Sequence, residues 1–268
     1  MRQVCFLLCM CCVVGLVPVS SQTVGLNAPQ LFQKGMNALT GSNVSRNDQN
    51  AFDYFRHSAE LGYAPAQVVL GYFYETGRAT APEPRQALDW YKKAGEQDDA
   101  LAQWLAGRLI DKGDAAVRDL NEAEVWLQKS AAHDNPFAEY LLGMIRLERQ
   151  DYPSAAGWFR KAAEQGLPQA QAQLGLLLKD GRGVNQDKFE AYVWLLVSSD
   201  VGNHSVASTL QSLEADLGSN RIEQAKTEAA ARELRVTRSV VANGCTGWPG
   251  EFSSIPAPPP PDLQRFCR

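Results

Sequence analysis

The sequence predicts an all-α solenoid. Three observations predict it: an aromatic residue recurring at near-constant spacing, an alanine three residues before it every time, and a glycine recurring at one register of a second helical segment. The aromatics are Tyr54, Trp90, Trp126, Trp158 and Trp194, spaced by 36, 36, 32 and 36 residues. The alanines are Ala51, Ala87, Ala123, Ala155 and Ala191. A period of this size marks a supersecondary unit that buries its apolar face only by stacking on its neighbours.

Around each aromatic the residues spell one amphipathic helix, here called helix A. Phe55, Tyr91, Leu127, Phe159 and Leu195 follow it by one, and Ser58, Ala94, Ser130, Ala162 and Ser198 by four. Counted from the alanine these are positions i, i+3, i+4 and i+7, one face of a helix. Asn47, Glu83, Asp119, Asp151 and Asp187 stand seven residues ahead of the aromatic, where a side-chain oxygen caps unpaired backbone N–H groups. Asp119 with Glu122, and Asp187 with Glu190, have the spacing of capping boxes, and Pro84 suits a first helical position. Gly62, Asp98, Asp134, Gly166 and Gly202 mark the ends, where a left-handed residue closes a helix.

Pro65, Pro136 and Pro168 open the second helix, helix B. It carries Ala66, Ala102, Ala138 and Ala170, then Leu70, Ala106, Leu142 and Leu174, each followed by a glycine: Gly71, Gly107, Gly143 and Gly175. A glycine inside a helix costs about 1 kcal/mol relative to alanine. Its recurrence at one register predicts a neighbouring helix too close to admit a side chain. The same register gives Gly35 within Pro29 to Thr40, a lone B helix opening the array, and Gly41, Gly77, Gly113 and Gly181 as B-helix ends. The third repeat is four residues short because it lacks a loop like Gly181-Arg182-Gly183-Val184.

These columns resemble the Sel1-like repeat family, a branch of the tetratricopeptide-like helical repeats. The segment from Ala155 to Trp194 is similar to the family's repeat along its whole length, and the resemblance runs from about Pro29 to Val240. It implies an α-solenoid of about five helix pairs with a leading half-repeat and a C-terminal capping helix near residues 219–241. It also implies an adaptor or regulatory scaffold, with helix A lining the binding surface. The cysteine pairs found inside the repeats of many bacterial relatives are absent here.

The 268 residues include 26 Lys and Arg against 30 Asp and Glu, for a net charge of −4. That balance excludes general nucleic-acid binding, which needs an excess of cations to neutralise phosphate. With 45% hydrophobic and 21% charged residues, the chain is neither disordered throughout nor a multi-span membrane protein. Catalytic raw material is scarce. His57, His133 and His204 occupy three different columns, and the Gly-Arg-Gly-Val loop lacks the third glycine and preceding strand of a dinucleotide fingerprint. No cofactor or metal is expected.

The basic columns two and three residues after the aromatic are Arg56 and His57, Lys92 and Lys93, Gln128 and Lys129, and Arg160 and Lys161. Stacked along the A helices they form a basic ribbon. The partner-binding candidates are therefore Arg56, Lys92, Lys93, Lys129, Arg160 and Lys161. The competing reading is a solvated face, with Glu60, Glu96 and Glu164 four residues beyond to pair with Arg56, Lys92 and Arg160.

Arg2 and the apolar run Val4 to Val19, closing on Ser20 and Ser21, have the layout of a signal peptide over residues 1–21. Cleavage there leaves two cysteines, Cys245 and Cys267, flanking a proline-rich tail over 242–268. One cysteine pair in an exported chain predicts a disulfide. The expected divisions are 22–46 for the leading segment, 47–218 for the repeats and 219–241 for the cap. The expected function is an exported scaffold, periplasmic or secreted, or alternatively in the endoplasmic reticulum lumen. Its partner would be an envelope or secreted protein, acidic if the ribbon binds it, with no stable membrane insertion after signal cleavage. The rival is an envelope enzyme such as a cell-wall hydrolase using groove carboxylates.

Overall fold

A computed structural model describes residues 25–42, 44–113, 118–200 and 204–243. Within them twelve α-helices follow one another without a strand. They are α1 (Ala28–Thr40), α2 (Asp48–Glu60), α3 (Ala64–Thr76), α4 (Pro84–Gly95), α5 (Ala100–Asp111), α6 (Leu120–Ala131), α7 (Pro136–Glu148), α8 (Tyr152–Glu164), α9 (Pro168–Asp180), α10 (Lys188–Asp200), α11 (Ala207–Leu217) and α12 (Ser219–Asn243). The A helices are α2, α4, α6, α8 and α10. The B helices are α1, α3, α5, α7 and α9. A 3-10 turn at His204–Val206 leads into α11, which takes the place of the second helix of the fifth pair and keeps only Leu210 of the B-helix columns. The signal segment at 1–21 and the Cys245 and Cys267 pair lie outside the described residues.

Each A helix begins at the residue predicted to cap it. Asn47, Asp119, Asp151 and Asp187 accept hydrogen bonds from N–H groups of the first turn. Glu83 holds the same place without a capping bond to the backbone, its carboxylate accepting from the Gln86 side chain, and Pro84 is the first helical residue. A reciprocal capping box forms at Asn27 and Gln30, ahead of α1. Gly62, Asp98, Asp134 and Gly166 adopt φ of 86°, 68°, 55° and 97° and close the A helices left-handed. Gly202 lies outside the described residues. Gly41, Gly77 and Gly181 end α1, α3 and α9 in the same way, while α5 ends on Lys112.

Consecutive helices pack on one another through the array, α10 is covered by α12, and α5 also touches α7 across the intervening A helix. The glycine column explains how the stack closes. A β-carbon at Gly35, Gly71, Gly107, Gly143 or Gly175 would stand 2.5 to 2.7 Å from the side chain of Phe55, Tyr91, Leu127, Phe159 or Leu195. Each B-helix glycine is therefore the socket for the large residue one place after the repeat's aromatic, on the next A helix. Those five large residues are 0% exposed. At about 25 cal/mol per Å² of apolar surface, sealing side chains of this size contributes about 2 kcal/mol each.

The buried serines of the A helices are paired along the same repeat. Ser58, Ser130 and Ser198, all 0% exposed, donate from Oγ to the carbonyls of Ala28, Ala100 and Pro168, at the start of the preceding B helix, at 2.7 to 2.8 Å. Ion pairs tie one repeat to the next. Arg108 on α5 grips Glu75 of α3 at 2.5 and 2.7 Å, and Tyr91 of α4 donates to the same carboxylate at 2.8 Å. Arg146 and Arg149 converge on Glu124, and Arg78 makes two bonds to Asp48. The Gly181-Arg182-Gly183 loop is a packing element. Gly183 at φ 72° lies against the Tyr152 and Pro153 backbone where any β-carbon would clash, and the Arg182 guanidinium sits 4.1 Å from the Tyr152 ring.

Candidate binding face on the A helices

Helix A buries the column alanine and the large residue after the aromatic, and this rotation fixes where the basic columns point. The two columns lie about 100° apart on the helix and meet different surroundings.

Two members of the column two residues after the aromatic are drawn into contacts within the array, while Gln128 is exposed. Arg56 pairs with Asp53 at 3.1 Å, on the turn before it, and not with the expected Glu60. Its guanidinium also approaches the Phe52 ring at 6.0 Å. Lys92 reaches across to Glu122 of the next A helix at 2.5 Å and not to Glu96. Arg160 is half-buried on α8. Arg56 and Lys92 thus serve the stack before they serve a partner.

The column three residues after the aromatic behaves differently. Lys93, Lys129 and Lys161 are exposed. Each lays its ammonium over the tryptophan one turn earlier: 3.9 Å from the Trp90 ring centre, 4.4 Å from Trp126 and 4.4 Å from Trp158. The spacing i, i+3 places the two side chains on one face of the helix, and the ring's negative face holds the cation. The terminal members of the aromatic column have their cations from other helices, Lys34 of α1 over Tyr54 and Arg232 of α12 over Trp194. In the fifth repeat the basic columns become Leu196 and Val197, half-buried and buried beneath the closing elements.

Between these pairs the residue before the tryptophan is an exposed Asp89 on α4, a valine on α6 and a glycine on α8. Val125, one residue before Trp126, is 51% exposed. Gly157 holds the equivalent place before Trp158, and a β-carbon there would meet nothing within 4 Å. Unlike the B-helix glycines, Gly157 has no packing reason to be glycine. α4, α6 and α8 thus carry three tryptophan and lysine pairs at the interval of the repeat, with Trp90 and Trp158 half-buried and Trp126 8% exposed.

The described residues offer little to acid–base or metal chemistry. None of them forms a group of three or more His, Cys, Asp or Glu able to hold a metal. Of the carboxyls drawn into the array, Glu75 and Glu124 are paired with arginines and Glu139 accepts from Gln165. His133 contacts Asp98 at 3.1 Å on the exposed turns. The groove between the start of α4 and the end of α5, lined by Glu83, Arg85, Leu88, Leu109 and Lys112 among others, brings a carboxylate beside two cations and no nucleophile.

Sequence reasoning placed Lys93, Lys129 and Lys161 among the candidates but missed the tryptophans as their partners. The signal was present in the Trp-x-x-Lys spacing of three successive A helices.

The helix order, glycine sockets and repeating caps define a helical-repeat solenoid. The Sel1 repeat pattern matches residues 35–63, 64–99, 100–135, 136–167 and 168–203, and the chain belongs to the Sel1 repeat family, whose fold commonly serves protein–protein interaction. Among solved structures, a Sel1 repeat protein from Oxalobacter formigenes is 34% identical with a TM-score of 0.59, over 73% of this chain and 57% of that one. The antigen c5321, a protective antigen present in uropathogenic Escherichia coli strains and displaying an SLR fold, is 27% identical with a TM-score of 0.48, over 86% of this chain and 56% of that one. The chain therefore spans a little over half the length of these two relatives. No curated protein matches it.

Proposed function

We propose that this chain is a non-catalytic interaction scaffold of the cell envelope that holds a partner protein against the exposed face of α4, α6 and α8. The observation that carries the proposal is the column of Lys93, Lys129 and Lys161 over Trp90, Trp126 and Trp158. In the free protein each lysine covers its ring. A carboxylate on a partner draws the ammonium into an ion pair and frees the indole for apolar contact, so one residue pair supplies both charge recognition and buried area. Repetition on a rigid array adds the contributions of three such pairs, where an isolated exposed ion pair contributes only about 0 to 1 kcal/mol. The favoured partner therefore carries acidic side chains interleaved with apolar ones.

The apolar run behind Arg2 and the single pair of downstream cysteines support an exported, oxidising location. Affinity capture from envelope extract with the mature chain tests the reading, comparing it with the Lys93→Glu, Lys129→Glu, Lys161→Glu triple variant after circular dichroism shows equal helicity. Capture that weakens in the triple variant, and weakens in the unaltered chain as salt rises, is the expected result. Equal capture by both chains at low and high salt removes the lysine column from recognition. Failure to capture any protein removes the scaffold reading itself.

A further inference from the structure

The B helices carry a second polar column, one residue after the column alanine. Gln67, Gln103 and Gln171 occupy it and are 4%, 1% and 1% exposed. Each donates from Nε2 to the carbonyl eight residues earlier, that of Ala59, Gly95 or Ala163, at 3.0 to 3.2 Å. Those carbonyls sit at the C-terminal ends of α2, α4 and α8, and each also takes the backbone N–H of Gly62, Asp98 or Gly166. The glutamine thus supplies the second donor that a helix-ending carbonyl, with two lone pairs, can accept.

In α7 the same place holds Glu139, which is 2% exposed. The carbonyl eight residues earlier is that of Ala131, which takes the backbone N–H of Asp134 as its counterparts do. One Glu139 oxygen, Oε2, accepts from Gln165 Nε2 at 2.7 Å. This repeats the bond by which Gln67 Oε1 accepts from Gln97 Nε2 at 2.8 Å. By the register of the column, the remaining carboxyl oxygen of Glu139 corresponds to the amide nitrogen of the other repeats. A carboxylate has no proton to offer a carbonyl, whereas the neutral acid has one.

We propose that Glu139 folds as the neutral acid and donates its proton to the Ala131 carbonyl, making the α6–α7 turn a joint that loosens as the carboxyl ionises. Its surroundings favour the acid form. Asp134 from the α6–α7 turn and Glu164 from α8 repel a charge there, and Lys161 of α8, the cation that opposes them, is exposed and lies over Trp158. On α6, Lys129 lies over Trp126. On α5, which meets α7 through Trp104 and Phe137, the buried Arg108 is committed to Glu75. Burial, the largest influence, pushes the carboxyl up to about 7 against the donated Gln165 bond. A folded-state value above the unfolded one means the contribution is complete below the ordinary glutamate range and is lost as pH rises through about 7.

The proposal does not depend on any partner. Two measurements on the full chain test it. Carbon-13 NMR of the glutamate side chains, with Glu139 assigned from its absence in Glu139→Gln, gives its titration midpoint directly. A midpoint near 7 is expected, and one in the ordinary range of about 4 to 5 overturns the proposal. Urea midpoints between pH 5 and pH 8.5 give the consequence. The unaltered chain loses stability across that interval more steeply than Glu139→Gln, and the variant is the more stable of the two at pH 8.5. Equal slopes overturn the proposal. So does a Glu139→Gln chain that fails to fold, because glutamine already fills this place in three other B helices.

Discussion

Gly143 and Gly157 lie fourteen residues apart on adjacent helices, and alanine at the two positions should shift stability in opposite directions. At Gly143 the new methyl would lie 2.5 Å from Cε1 and 2.6 Å from Cδ1 of Phe159. The ring is sealed at 0% exposure and packs on Tyr140 at 5.9 Å, so it has nowhere to retreat. Overpacking of this kind costs about 1 to 3 kcal/mol, and alanine recovers about 1 kcal/mol of helix propensity. With the ring locked, the upper half of that range applies and the net loss is about 1 to 2 kcal/mol. At Gly157 nothing lies within 4 Å of the added methyl, so only the propensity term acts and the chain gains about 0.5 to 1 kcal/mol. Urea unfolding at one pH measures both, with the slope checked for constancy because an array of repeats can lose cooperativity. A Gly143→Ala chain as stable as the original would refute the socket as the reason for the glycine column. A Gly157→Ala chain less stable than the original would refute the claim that this face is open in the free protein.

Arg108→Met leaves Glu75 and the Tyr91 hydroxyl together in the core without their cation, and a loss of about 3 to 5 kcal/mol is expected. Adding Glu75→Gln should return part of it, and a double-mutant cycle with no coupling would contradict the pairing. At the acid end, the bonds from the Arg78 guanidinium hold Asp48 below the usual aspartate range. A lowered folded-state value means its contribution is present above the unfolded value and lost as pH falls through the folded one. Asp48→Asn should therefore flatten acid unfolding below about pH 4, and an unchanged acid limb would count against the Arg78 contact.

Most of the architecture is legible in the sequence because the constraints that build it are local or repeat at one register. The aspartate caps act within one helical turn, and the alanine, glycine and aromatic columns announce themselves by recurrence. The lysines were harder to read. Whether Lys92 or Lys93 faces outward depends on helix rotation, and the ion pair from Lys92 to Glu122 spans thirty residues, a distance at which i, i+4 reasoning is silent. Glu139 was legible in principle, as the acid in a column that holds Gln67, Gln103 and Gln171 in α3, α5 and α9 and Leu31 in α1. Reading it required knowing that the column is buried and points at a carbonyl. α11 keeps Leu210 at the leucine column, but Val206 just ahead of it and Gln211 within it stand where α3, α5, α7 and α9 have alanine and glycine, so the five-pair count implied it while its own columns announced it only weakly.

The missing loop of the third repeat separates two jobs that loops often share. Gly143 and Phe159 are four residues closer in sequence than Gly71 and Tyr91, yet the socket closes on both large residues at 2.5 to 2.6 Å. The B-to-A connection therefore carries slack and does not set the spacing of the stack. The A-to-B turns, with their left-handed Gly62, Asp98, Asp134 and Gly166, are where pitch passes from one repeat to the next. Variation in length along this edge leaves the helices in place, so loop length can change here without altering the spacing of the face on the A helices, while single positions such as Gly183 stay fixed by packing.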